Sequence, residues 1–392
     1  MRRVLPALLL LLSSPLAAQT VPLAGDVTPT SAAELVATGY VETHIGYNFN
    51  QPYRGLTAMR GYDNRDATFM LDNVVLGAAW QRAGMQGMIA LQAGNTPNTY
   101  YGNEPKSDGS GGVPSSGPEG WRNIQQAWLG YGWGAWTAQA GLFLAPVGPE
   151  KMAVHENWNW SRSNLFYTLP TYVAGARLAW SEGAAFRATA MLCNGWNNVI
   201  DNNQHKSVLL VVNGMLGSLS YSALYMGGIE RSSGGLEGEP WRHLFTGHVT
   251  LEATKSISLQ VHGNGGWEST DVGQSTWLAA AAYIRWAMDE TWSAAARGDF
   301  IRESLASTPF DERTKPILFP STIKGRTGLV ASGTLTLEYR PVERMSVRLE
   351  LRGDAANSDI YFDSRVTPTV GKEAVPNAFG QPTALLGATA WF

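Results

Sequence analysis

The 392-residue sequence contains one cysteine, Cys193, which excludes an intrachain disulfide framework. Charge is scarce: Asp, Glu, Lys and Arg make up 16% of the chain, against about 25% in an ordinary globular domain. Beyond the N-terminal region, no apolar run approaches the roughly 18 residues that a membrane helix requires. A formal net charge of −3 argues against general nucleic-acid binding. Catalytic signatures are missing as well, with no G-x-S-x-G elbow, no P-loop and no H-E-x-x-H pair. The six histidines, His44, His155, His205, His243, His248 and His262, fall at no metal-ligand spacing, and no cofactor motif is found. These absences leave two classes: an exported soluble β protein, or a β-barrel in a membrane.

What is present begins with an export signal. Arg2 and Arg3 precede the apolar stretch Val4–Leu12; Ser13, Ser14 and Pro15 break it, and Leu16-Ala17-Ala18 offers small residues for cleavage. This order reads as a secretory signal peptide over residues 1–18. Residues 19–39 are then expected as a periplasmic N-terminal segment, and residues 40–392 as the folded unit. That unit is rich in glycine and tryptophan, with 43 and 15 in the whole chain, a composition that suits strands facing lipid.

The main signal is period two. Val41, Thr43, Ile45, Tyr47 and Phe49 alternate with Glu42, His44 and Asn48. Near the other end Val347, Leu349 and Leu351 alternate with Arg348, Glu350 and Arg352. Such alternation marks strands with one apolar face. About sixteen of these segments follow one another, the first near Tyr40–Phe49 and the last near Pro382–Phe392, an even number as bacterial outer-membrane barrels require. Their connections alternate between short and long. The short ones include Gln81–Gly84, Ser181–Gly183, Asp289–Glu290 and Pro341–Glu343. The long ones include Asn50–Asp66, Asn95–Arg122, Ala145–Pro170, Asn194–His205, Gly227–Pro240, Gly266–Gln274, Glu303–Gly325 and Ala355–Gln381. Short periplasmic turns and long extracellular loops are the asymmetry of a closed antiparallel transmembrane β-barrel. Closure follows because an open edge in lipid leaves backbone groups unpaired at several kcal/mol each. Trp80, Trp133, Trp136, Trp180, Trp286, Trp292, Tyr339 and Phe392 lie beside the short turns, where an aromatic girdle at the membrane–water interface is expected. Gly130, Gly132 and Gly134 read as turn glycines.

Charges on strand interiors cannot face lipid, where an Arg at midplane costs about 2–4 kcal/mol. The expected lumen cations are Arg177, Arg187, Arg285, Arg297, Arg340, Arg348 and Arg352. The expected anions are Glu42, Glu252, Asp299, Glu338, Glu350 and Asp354. Such residues either brace the wall in ion pairs or tune selectivity, and their near balance predicts weak ion selectivity. The third long loop, Ala145–Pro170, is the candidate constriction; it carries Glu150, Lys151, His155, Glu156, Trp158, Trp160 and Arg162. Glu150 and Glu156 are its expected acidic contributors, with Arg177 and Arg187 facing them across the channel.

The run Asn194-Gly195-Trp196-Asn197-Asn198-Val199-Ile200-Asp201-Asn202-Asn203 resembles the N-G-W-D-N-x-x-D-N-N signature of the β-barrel porin-2 (OmpL-like) family. Glu150, Asn159-Trp160-Ser161-Arg162-Ser163, Pro170 and Gly175 resemble its third-loop segment, and Arg348, Glu350, Arg352 and Asp354 its R-x-E-x-R-x-D strand. The likeness spans most of the mature chain. Asn197 departs from the Asp of that signature, which weakens any ion-binding role for the run. From its own residues the run reads as a tight loop closed by Asx hydrogen bonds. The resemblance implies an outer-membrane porin that passes small hydrophilic solutes and ions through a water-filled lumen, without cofactor, metal or chemical step. The partners it implies are outer-membrane lipids and lipopolysaccharide, the barrel-assembly machinery through Phe392, and a homotrimer as one allowed assembly; nucleic acid is not among them. The rival reading is an outer-membrane enzyme or adhesin that uses the barrel as a scaffold. A strained nucleophile or a long repetitive loop would favour it.

Overall fold

The computed structural model describes residues 34–101, 118–231, 234–235, 237–306, 327–366 and 374–392. The expected signal peptide and most of the expected periplasmic segment lie outside the described residues. Sixteen strands run in chain order: β1 (Glu34–Asn48), β2 (Phe69–Arg82), β3 (Met85–Ala93), β4 (Ile124–Trp133), β5 (Trp136–Leu144), β6 (Tyr172–Glu182), β7 (Phe186–Cys193), β8 (Ser207–Leu216), β9 (Leu219–Ile229), β10 (Trp241–Glu252), β11 (Ile257–Thr270), β12 (Gly273–Ala287), β13 (Trp292–Ala306), β14 (Thr327–Val342), β15 (Met345–Ala356) and β16 (Gly380–Trp391). Each pairs with its sequence neighbours and β1 closes on β16, giving a closed barrel. The closing pair is antiparallel, with Tyr40 opposite Trp391 and Asn48 opposite Thr383.

The alternating sequence forms these strands because successive side chains leave opposite faces of a pleated sheet. On β15, Leu349 and Leu351 are exposed on the outside while Arg348, Glu350 and Arg352 are buried inside. On β16, Leu386, Ala390 and Phe392 point outward and Leu385, Gly387 and Thr389 inward. Trp80, Trp133, Trp136, Trp286, Trp292, Tyr339 and Phe392 are exposed at strand ends beside the short turns, where indole and phenol rings prefer to sit.

Three expectations are corrected. First, β1 starts at Glu34, so residues 34–39 belong to the barrel. They pair with the segment Leu76–Gln81 of β2, whose other edge is held by β3 and whose β1-facing edge would otherwise be open. Second, the sixth outer connection is not the long loop Gly266–Gln274. Pairing between β11 and β12 runs on to Thr270 opposite Gly273, leaving Asp271 and Val272 as a tight turn. Glycine pairs and polar residues suggest a loop there. The strand continues because Trp267 takes the outward phase while Glu268, turned inward, accepts from Arg231 Nε at 2.6 Å and Arg242 Nε at 2.7 Å.

The third correction concerns the inner surface, which the charges on the strand interiors lead one to expect to be polar. Met191, Leu209, Val211, Leu224, Met226, Leu244, Trp277 and Ala279 of β7–β12 are buried and form one apolar cluster with Val147, Leu165 and Leu169. The last three belong to the segment between β5 and β6. The barrel therefore has an apolar inner wall, covered by its own third long loop. Val208–Val212 of β8 is apolar on both faces, the pattern of a strand buried on both sides.

Candidate functional site: the third loop and the inner wall

The segment from Ala145 to Thr171 has almost no regular structure. Short 3₁₀ turns at Val154–Glu156 and Leu165–Thr168 are its only helical pieces. A buried backbone of this kind needs partners for its N–H and C=O groups. Here the charged side chains of the wall supply them. Carboxylates accept from backbone N–H groups: Glu42 from Val154 at 2.5 Å, Glu350 from Trp160 at 2.6 Å and Ser161 at 3.0 Å, and Asp299 from Asn164 at 2.8 Å. Guanidinium groups donate to backbone carbonyls: Arg348 to Val154 at 2.8 Å, Arg297 to Ser161 at 2.5 Å and Arg352 to Arg162 at 2.6 Å. Hydrogen bonds with one ionised member are roughly twice as strong as neutral ones. The loop is fastened across the interior to β1 and β13–β15 by such bonds.

The wall charges are also paired, with one another and with Glu150 of the loop. Arg297 Nη1 donates to Glu150 Oε1 at 3.0 Å, and its Nε lies 3.3 Å from Asp299. Arg352 Nε donates to Asp354 at 2.8 Å, and Arg348 donates to Glu338 at 2.7 and 3.0 Å. Glycine matters at one point of this fastening. A Cβ at Gly387 would lie about 2.5 Å from the ring of Trp160, so only glycine lets that indole lie on β16.

The expected site residues are distributed as follows. Glu150 is buried and turned to the wall, where it accepts from Arg297 and from Ser163 N at 3.0 Å. Arg162 is buried within the loop, donates to Lys151 O at 3.1 Å and Trp160 O at 2.7 Å, and stands 5.1 Å from the Tyr62 ring centroid. Arg297, Asp299, Arg348, Glu350, Arg352 and Asp354 are buried between wall and loop. Lys151 and Glu156 of the loop remain half-buried. Burial pushes the Glu156 carboxyl up to about 7, with Lys151 opposing, and holds the Lys151 ammonium below its ordinary range. Arg177 is half-buried on β6; it donates to Gln139 at 2.6 Å and lies 4.1 Å from the Phe143 ring centroid. Arg187 is buried on the inner face of β7. Glu252 is exposed at the rim of β10. The structure thus brings together the β13–β15 charges with Glu150 and Arg162, while Arg177 and Arg187 stand on a separate wall.

Sequence reasoning missed two anchors. His44 Nδ1 lies 2.6 Å from Asp72 on the inner face of β1 and β2, and Asn264 of β11 donates to Thr168 at 2.7 Å. The Asn194–Asn203 run is closed by its own side chains, as expected: Asn194 donates to Val199 O at 2.7 Å and Asn203 N donates to Asp201 at 2.9 Å. Asn197 Oδ1 accepts from Thr171 N at 2.6 Å and Tyr172 N at 3.2 Å. The residue that departs from the family signature therefore clasps the returning end of the third loop. Among the described residues, no group of three His, Cys, Asp or Glu side chains stands close enough to hold a metal ion.

Towards the short-turn end, several inward residues are half-buried. They include Gln86, Arg177, Thr189, Asn213, His248, Gln260, Arg285 and Arg340. A sixteen-stranded closed barrel with an apolar outer belt, an interfacial aromatic girdle and a loop folded across its interior defines an outer-membrane channel of the porin class.

Comparison with known proteins agrees. A family model described as "Putative beta-barrel porin-2, OmpL-like" matches residues 34–390, and the chain belongs to this family. It is an outer-membrane porin. Similar solved structures include in-vitro folded OmpT of Vibrio cholerae, with 10% identity, TM-score 0.58, and coverage of 94% of this chain and 100% of that one. An anion-selective porin from Comamonas acidovorans has 12% identity, TM-score 0.56, and coverage of 92% and 100%. The outer membrane channel DcaP of Acinetobacter baumannii has 11% identity, TM-score 0.56, and coverage of 93% and 100%. At these identities the likeness is one of fold. No curated protein matches the sequence.

Proposed function

We propose that the protein passes small hydrophilic solutes and ions by passive diffusion, and that Ala145–Pro170 narrows the path. The observation that carries this reading is the fastening of Val154–Asn164 to β1 and β13–β15. A loop held across the interior leaves solutes the remaining cross-section. Lys151 and Glu156 on the loop, with Arg177 and Arg187 on the β6–β7 wall, are the charges proposed to line that path. Glu150, Arg162, Arg297, Asp299, Arg348, Glu350, Arg352 and Asp354 act one layer behind, by fixing the loop. Filtering is by size and charge and needs no chemical step. The proposed partners are outer-membrane lipids and lipopolysaccharide, with the barrel-assembly machinery engaging the β16 strand and Phe392. A homotrimer is proposed as the assembly; OmpT of Vibrio cholerae, of similar fold, is described in a trimer form.

Single-channel conductance in planar bilayers tests the reading. The full-length protein should conduct, and removal of residues 155–160 should raise conductance while the barrel stays closed. Unchanged conductance in a folded deletion variant would place the narrow point elsewhere.

A further inference from the structure

Charge on the inner surface is balanced overall but not along the barrel axis. At the level of the third loop, carboxylates are spent on backbone N–H groups and arginines. Nearer the short turns, arginines outnumber carboxylates. Arg285 on β12, Arg340 on β14 and Arg348 on β15 surround one carboxylate, Glu338. Arg348 satisfies it, donating from Nε at 3.0 Å and Nη2 at 2.7 Å, and Ser293 Oγ adds a bond at 3.0 Å. Arg340 Nε stands 3.2 Å away and Arg285 Nη2 3.9 Å away. The next carboxylate near Arg285 is Glu252, which lies at the exposed rim and accepts from Ser258 Oγ.

Two further donors point to a ligand. Ser346 and Thr389 are opposite each other on β15 and β16. Both are buried, at 0% and 2% exposure, and among the described residues their hydroxyl groups have no hydrogen-bond partner. They share the inner face with Arg348, two residues from Ser346. Trp391 closes the side of the group, with Arg340 5.8 Å from its ring centroid and His155 of the third loop stacked on it at 4.7 Å. Buried hydroxyls with no partner among the described residues, on an inner face that also carries surplus guanidinium groups, are donors awaiting an acceptor.

We propose that Arg285, Arg340, Ser346 and Thr389 form a station for small oxyanions, carboxylates or phosphate, at the short-turn mouth of the channel. The proposal rests on the channel reading above and gives that channel a preference for anions. Rings of charged side chains at a narrow aqueous passage set the sign of the ions admitted. Arg348 and Glu338 form the fixed base of the station. Arg285 and Arg340, which share Glu338 with Arg348, supply its surplus positive charge.

The test uses the full-length protein in planar bilayers in a KCl gradient, with inorganic phosphate as the probe. The wild-type reversal potential should favour chloride over potassium, and phosphate should reduce the KCl current in a saturable way. In the double variant Arg285→Gln with Arg340→Gln, the chloride preference and the phosphate sensitivity should each fall about threefold or more. Heat-modifiable migration on gels reports whether that barrel is folded. Arg285→Gln alone, the more exposed of the two, decides the matter if the double variant fails to fold, and should give a smaller shift in the same direction. A folded variant with wild-type reversal potential and wild-type phosphate inhibition overturns the station. So does a conducting wild-type channel that prefers potassium, which leaves the channel reading standing. A wild-type protein without any conductance overturns both.

Discussion

The third loop meets two different walls. Towards β1 and β13–β15, Val154–Asn164 is held by carboxylates and guanidinium groups aimed at its backbone. Towards β7–β12, Val147, Leu165 and Leu169 join a layer of aliphatic side chains. The first contact is directional. It fixes where each peptide group lies, because a buried charge tolerates little displacement from its partner. The second is non-directional and depends on area and packing. A loop without regular structure thus acquires a defined position from one wall and cohesion from the other.

Breaking the charged side should have the largest effect. Arg297→Gln leaves Glu150 and Asp299 without their shared cation, and loss of one partner of a buried pair costs about 3–5 kcal/mol. The expected result is a lower unfolding temperature and early proteolysis within Ala145–Thr171, read by thermal melting and limited digestion. Stability equal to wild type would show that the wall charges do not fasten the loop.

The apolar side should give a comparable but wider range. Leu209 is fully buried on β8, and Leu209→Ala should cost about 2–5 kcal/mol, according to how far the loop settles into the space. The same melting experiment measures it. Loss below that range would mean that the apolar layer is loosely packed.

The outer face is a control for both. Leu349 is half exposed on β15, and Leu349→Arg should impair insertion by about 2–4 kcal/mol if it lies near midplane. Folding yield into lipid vesicles reports this directly. A tolerated Arg at that position would reverse the assignment of faces.

The smallest effect concerns pH. The Glu156 carboxyl is raised to about 7 by burial, so it holds its proton below that pH and becomes anionic above it. In the unfolded chain it ionises at ordinary carboxylate values, so the folded state loses stability as pH rises from there through 7. For ion flow the sign is opposite to that of the arginines: raising pH from about 6 to 8 adds a negative charge to the loop and weakens anion preference. Reversal potentials of wild type and Glu156→Gln across that interval check it, and the variant should lose the pH dependence.

Much of the barrel is legible in the sequence because period two is enforced at every strand by lipid on one side. Val41 against Glu42 and Leu349 against Arg348 fix the phase without any tertiary knowledge. Legibility fails where that pressure is relaxed. Gly265-Gly266 resembles a loop because glycine carries no phase of its own, and pairing with β12 decides the outcome. The apolar inner wall was hidden for a related reason. Val208–Val212 does not alternate, and only a loop folded inward explains why its inner face needs no water. Among the site residues, charge type was visible but task was not. Glu150 and Glu156 look alike in sequence, yet one is bonded to Arg297 and the other stays half-buried on the loop. That difference depends on partners more than a hundred positions away along the chain.

The seam between β1 and β16 has a consequence for how this barrel forms. Gly39 N donates to Phe392 O at 3.3 Å and Phe392 N donates to Gly39 O at 3.0 Å, and a Cβ at Gly39 would lie 2.7 Å from the Phe392 ring. Asn48 reaches Gln381 at 3.2 Å near the other end of the same seam. Fourteen strands lie between these partners along the chain. Until they meet, two strand edges carry open backbone groups that lipid cannot satisfy. Closure is therefore the least local pairing of the barrel, with a large loop-closure entropy set against it. A substitution such as Gly39→Val would set a side chain against both the Phe392 ring and the Val75 carbonyl of β2, and so act on the first hairpin as well as on the time the chain spends as an open sheet.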